Sequence, residues 1–121
     1  MDANRFEEIK ERHAAATPGP WRWWGSTDMH SLELVAPRLM HRAVMAFRRW
    51  GMRSAQPMFR DSETGILVPV AQIARFQVHY RNDFNGIENP DAEFIEHSWQ
   101  DVADLVAEVE RRRAGEERSV A

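Results

Sequence analysis

Apolar and polar positions along the chain follow two periods, helical at both ends and strand-like in the middle. Phe6, Ile9 and His13 recur at helical spacing, with Glu7, Glu8, Lys10, Glu11 and Arg12 around the rest of the circumference. This predicts an N-terminal helix within residues 1–16, regular over 3–15. Pro18 and Pro20 cannot continue it, because each lacks a donor and pushes its predecessor out of the helical region. Trp21 to Trp24 then leave the turn with strand-favouring aromatics, Trp21 and Trp23 on one face and Arg22 and Trp24 on the other. Gly25 to Asp28 reads as a turn, and Leu32 to Val35 as a short strand closed by Pro37. Ala43 to Trp50 has the strongest alternation. Val44, Ala46, Arg48 and Trp50 point one way, Met45, Phe47 and Arg49 the other, and Gly51 ends the run. Met58 to Arg60 and Ile66 to Val70 flank Asp61-Ser62-Glu63-Thr64-Gly65 as a hairpin. Ala71 to Arg75 reads as one helical turn, and Phe76 to Tyr80 as a further strand.

Asn89 is a good N-cap with Pro90 at the first helical position. Ser98, with Asp101 three residues on, predicts a second cap and hence a second C-terminal helix. Val102, Leu105, Val106 and Val109 form the apolar stripe of that helix, and Arg111 to Arg113 suit its negative end. These patterns predict a single α+β domain over residues 1–121. A small antiparallel sheet of short strands (20–80) is packed by an N-terminal helix and two C-terminal helices (89–113), and residues 114–121 fray.

At 121 residues and 43% hydrophobic composition the chain can bury one core, and five Trp and six Phe argue against disorder. It contains no Cys, which excludes disulfides, thiolate metal sites and cysteine nucleophiles and fits a reducing cytoplasm. No apolar run reaches membrane-span length, so no membrane partner is expected. The aromatic load exceeds what so small a core readily hides, which predicts a homo-oligomer. The net charge of −3 conceals an asymmetry. Residues 20–60 carry seven Arg against Asp28 and Glu33, whereas residues 83–121 carry eleven acids against four Arg. This means either an anion site in the basic middle or two surfaces that pair with each other. The acidic tail opposes duplex phosphates, so no duplex nucleic acid is expected as a partner.

Trp21-Arg22-Trp23-Trp24 and Arg48-Arg49-Trp50-Gly51-Met52-Arg53 combine rings that stack on a planar ligand with guanidinium groups that fork onto anionic oxygens. Arg22, Trp24, Arg48, Trp50 and Arg53 are therefore the candidate binding residues for a small anionic, nucleotide-like ligand. Equally, the same Trp residues can be core. Asp91 joins the candidates because free helix N–H groups beside it could let it meet a ligand amine or hydroxyl. It also has a plain structural reading, since acids near a helix start complement its dipole. Asp28-x-His30 and Glu93-x-x-x-His97 have metal-compatible spacing but match no metal motif, and neither a metal nor a cofactor is expected. The glycines form no phosphate loop and the serines no nucleophile elbow, so no catalytic residue is assigned.

Two segments define the helix boundaries, Ala14-Ala15-Ala16-Thr17-Pro18-Gly19-Pro20-Trp21 and Asn89-Pro90-Asp91-Ala92-Glu93-Phe94-Ile95. Together they resemble the frame of the Ead-like early and accessory proteins of phages, in an actinobacterial phage and prophage subgroup. The segment Arg48 to Pro57 is absent from that outline. The resemblance implies a phage accessory protein, acting in the host cytoplasm. A similarity in outline to anti-Thoeris sponge proteins implies an oligomer that sequesters a cyclic nucleotide immune signal without cleaving it, although none of their binding residues is carried over. The alternative function is a protein–protein interaction module that inhibits a host protein through an exposed Trp/Arg-rich face.

Overall fold

The computed structural model describes residues 1–49, 55–76 and 84–120. The fold is α+β, a five-stranded antiparallel sheet and a two-stranded sheet packed with one helix from each end of the chain. Helix α1 spans Ala3–Ala15, capped by Asp2, whose Oδ1 accepts from the Arg5 N–H at 2.8 Å. It stops where Pro18 and Pro20 require it to. Ile9 is its buried residue, while Phe6 stays half exposed under the Lys10 ammonium.

Strands β1 (Arg22–Ser26), β2 (Ser31–Ala36), β3 (Arg42–Arg49), β4 (Ala55–Arg60) and β5 (Leu67–Pro69) form an up-and-down meander in sequence order, every neighbour antiparallel. Gly25, read from sequence as turn, lies inside β1. A Cβ there would stand 2.4 Å from the Ser31 carbonyl oxygen across the hairpin, so the close approach of β1 and β2 needs a glycine. The predicted hairpin at 61–65 is present. Asp61 and Ile66 pair, Glu63 N–H reaches the Asp61 carboxylate, and Gly65 occupies φ +73°. A 3-10 turn at Val70–Gln72 leads into β6 (Ala74–Phe76), which pairs with β7 (Phe84–Ile87). The rest of the strand expected up to Tyr80 lies outside the described residues.

Sheet alternation sets the core. Val35 and Val44 are fully buried, with Ala36, Ala43, Ala46, Met58 and Phe59 around them. Each such Val contributes about 1.5–3 kcal/mol. Phe59 carries the sheet onto Val70 and Ala92, with Met45, Ile73, Ala74 and Ile87 packed against that cluster.

The C-terminal region differs from expectation. It is one continuous helix, α2, over Pro90–Val120. Asn89 caps it as predicted, its Oδ1 accepting from the N–H groups of Asp91 and Ala92 at 2.9 and 3.1 Å. Ser98 caps nothing, because its hydroxyl donates to the Ile95 carbonyl at 2.8 Å, a bond within the helix, and the chain runs through. Asp101, the expected capping-box acid, instead binds Arg5 and Arg12 of α1. Residues 114–120, expected to fray, continue the helix. The stripe expected to face the core does not: Val102, Val106 and Val109 are exposed, with Leu105 half buried. The reason is electrostatic. The face turned to α1 is the acidic one, where Asp101, Asp104 and Glu108 meet Arg5, Arg12 and the Met1 amino group at 2.7–2.9 Å.

Candidate functional site

The two boundary segments meet in space. Asp91 is buried, its Oδ1 accepting from the Thr17 N–H at 2.6 Å and its Oδ2 from the Thr17 hydroxyl at 2.7 Å. Three residues on, Phe94 packs edge-on to Trp21 with centroids 5.3 Å apart, and tilts against His13 at 5.9 Å. The Trp21 indole N–H closes the loop on the Thr17 carbonyl at 3.0 Å. The free helix-start N–H groups that motivated a ligand role for Asp91 go to the Asn89 cap, and its carboxylate is engaged by the turn after α1. That placement gives Asp91, expected as a ligand residue or as a structural acid at the helix start, a structural role at the junction. Sequence spacing cannot reveal this, because the partners are 74 residues apart.

The remaining candidates sit on the large sheet. Cross-strand pairing aligns Trp24, Glu33, Ala46 and Met58 in one row. Arg22 on β1 and Arg48 on β3 therefore point from the same face as Trp24. The strands of Trp24 and Arg48 are not neighbours: β2 lies between them, a separation of about 9.6 Å across the sheet. Glu33 of β2 fills part of that interval, with Arg48 Nη2 at 3.2 Å from its Oε1. The Trp24 ring has His41 at 5.3 Å, at the end of a turn where Met40 and His41 both take left-handed backbone conformations. Trp50 and Arg53 lie outside the described residues.

Trp23 and Trp24 are 59% and 54% exposed, and β1 is an edge strand of the five-stranded sheet. Trp23 shares its face with Leu32 and Leu34 of β2, and Leu32 is exposed as well. Among the described residues Arg22, Arg38, Arg42 and Arg49 form no ion pair, and all four are exposed. The acids of the C-terminal part are engaged elsewhere. Asp101, Asp104 and Glu108 pair with α1, with the Met1 amino group and within α2, and Glu88 and Glu93 pair with Arg75. The basic middle and the acidic tail therefore do not neutralise each other among these groups. Arg60 is the structural member of the basic set, donating to the Ala43 and Gly65 carbonyls. Desolvation, with Arg42 and Arg48 nearby, holds its pKa below the usual arginine value.

Cavities among the described residues lie away from this edge. One of about 610 Å³ runs along the Thr17–Trp21 turn against Phe94, and an apolar one of about 260 Å³ lies between Phe59, Phe84, Ile87 and Ile95. Glu93, Glu96 and His97 bring their ligating atoms within 4.8 Å of one another, but the Arg75 guanidinium stands 3.1 Å from Glu93 and opposes a cation there. The exposed rings and guanidiniums of the Trp/Arg edge can stack on and fork onto an acidic partner. No helix among the described residues is long and apolar enough to cross a membrane. No family model, curated protein or solved structure matches this chain.

Proposed function

We propose that this protein is a non-catalytic interaction module that docks an acidic segment of another protein on the Trp/Arg edge formed by β1 and its neighbours. The observation that carries this reading is the exposure of Trp23 and Trp24 on an edge strand, beside arginines without ion pairs among the described residues. Half-exposed Trp with Arg is the composition of interface hot spots, and an edge strand offers unpaired backbone groups to an extended segment. The phage-accessory resemblance of the chain ends supports a host protein as the partner, inhibited by being bound. Self-association belongs to the same reading, since two copies would present two such edges.

A second reading is sequestration of a cyclic nucleotide, uncleaved. The placement of Arg22, Trp24 and Arg48 on one sheet face supports it, with Trp50 and Arg53 as the further expected contacts. One experiment separates the two. The tagged protein is offered an acidic host-protein fraction and, separately, a panel of cyclic nucleotides, each beside the Trp24→Ala and Arg22→Ala variants. The module reading expects a protein partner whose capture weakens by about 2 kcal/mol in Trp24→Ala, a hot-spot loss, with an unchanged melting temperature. Release of an intact nucleotide on heating, with no protein retained, establishes sequestration instead. Equal capture by wild type and both variants rejects the edge as the site.

A further inference from the structure

We propose that two copies of this chain pair in parallel through the exposed apolar seam of α2, a surface independent of the Trp/Arg edge. Ile95, Trp99, Val102, Val106 and Val109 follow one another at steps of four, three, four and three residues. That is the heptad spacing of a helix seam that meets another helix. All five are exposed, from 38% at Ile95 to 79% at Trp99. Nothing in α1 covers them, because α1 binds the neighbouring face through Asp101 and Asp104.

The area suffices for a specific contact. Taking Trp and branched aliphatic side chains at their usual sizes, the five leave on the order of 500 Å² of apolar surface in water per copy. Two seams face to face then bury roughly 1,000 Å² before any flanking residue is counted, which reaches the size of a specific interface. A seam of two heptads is short for an isolated coiled coil, but α2 needs no partner to become helical. Asn89 caps it, and ion pairs from Arg5 and Arg12 of α1 and from the Met1 amino group hold it, so association orders little new backbone.

Charge selects the second copy and its direction. One flank of the seam carries Glu96, Glu110 and Glu117, and the other carries Ser98, Leu105 and Arg112. In a parallel pair each flank meets the opposite flank of the other copy, so Arg112 faces Glu117 of the second copy. Arg112 also donates to Glu108 of its own helix at 3.0 Å, which leaves its remaining guanidinium donors for that contact. In an antiparallel pair the acidic flanks meet each other, and Glu96 confronts Glu110. A seam packing on itself about a two-fold axis is closed, so the assembly stops at a dimer.

The test uses the full chain. Light scattering and sedimentation at tens of micromolar are expected to give a dimer. Val106→Glu places two like charges in the seam and is expected to raise the dissociation constant by at least ~100-fold, because a buried unpaired charge is strongly disfavoured. Val106 is half exposed in the single copy, so the helical circular dichroism of this variant should be unchanged. Val102→Lys serves as the second variant should Val106→Glu misfold. The chain has no Cys, so Val106→Cys introduces one thiol. A parallel pair sets the two thiols opposite each other within disulfide reach, and mild oxidation with copper phenanthroline should give a covalent dimer. A monomeric wild type overturns the proposal. So does a dimer that survives both charge variants, and so does a dimer that Val106→Cys fails to cross-link.

Discussion

Asp91 illustrates how one side chain is assigned by what it touches. Its carboxylate takes both the backbone N–H and the hydroxyl of Thr17, and so ties the end of α1 to the start of α2. Asp91→Ala should leave a part-buried N–H without its charged acceptor and destabilise the fold by about 2–3 kcal/mol, the range for hydrogen bonds to an ionised group. Asp91→Asn keeps one acceptor oxygen and should lose about half of that. Thermal unfolding followed by circular dichroism measures both. A melting temperature unchanged in Asp91→Ala, together with lost partner capture, would return this residue to the binding role its sequence context also allowed. Thr17 follows the same logic from the other side, as the residue whose N–H and hydroxyl both donate to position 91.

At the scale of elements, the contact between α1 and α2 is built from charge more than from apolar packing. Asp101 feels desolvation, which pushes its pKa up, but the hydrogen bonds from Arg12 and Arg5 outweigh it and hold the carboxyl below its usual range. Asp104 is lowered by its bonds from Arg5 and Gln100, and Glu108 lies well below the carboxylate range through Arg111, the Met1 amino group and Arg112. Folded-state values below the unfolded ones mean stability that is present above the ordinary carboxylate range of about 4. That stability is lost as pH falls through the lowered folded values. The urea midpoint should therefore be flat from neutral pH to about 5 and fall steadily below about 4. The double variant Arg5→Ala, Arg12→Ala should be less stable at neutral pH and show a shallower acid limb. An acid limb as steep as that of the wild type would assign the acid sensitivity to other carboxylates. The same charged contact explains why the apolar side of α2 is open, since a helix that spends its acidic face on α1 turns the valines away from it.

For the whole molecule, the two proposed surfaces occupy different parts of the fold, the β1 edge of the sheet and the exposed seam of α2. Their effects should therefore separate. Trp24→Ala should leave the dimer intact while weakening capture, and Val106→Glu should leave each edge competent while abolishing the pair. A dimer holding two edges gains effective concentration on a partner immobilised at high density. On such a surface Val106→Glu should dissociate at least ~10-fold faster than the wild type, while both show the same affinity for a free, monovalent partner. Surface plasmon resonance at two immobilisation densities checks this, and density-independent behaviour of the wild type would show that the second edge adds nothing. The 31 residues of α2 extend over about 46 Å at 1.5 Å per residue.

What the sequence determined by itself is local. Pro18 and Pro20 end α1 and Asn89-Pro90 starts α2, because a missing donor and a side-chain cap act within a few residues. The alternation over 43–49 makes β3 a strand, and Asp61 to Gly65 makes the turn between β4 and β5, for the same short-range reasons. The α+β class follows from those elements and was legible. Only the tertiary structure decided which elements meet. It inserted β2 between Trp24 and Arg48, joined Asp91 to Thr17, and gave the tail's acids to Arg5 and Arg12 rather than to the basic middle. It also turned an apolar stripe that periodicity assigns to a core toward solvent, since a period reports that a helix has a face but not what lies opposite it. Strand order, ion pairing and helix rotation depend on residues tens of positions apart competing for the same partners, and that competition is resolved only when the whole chain is folded.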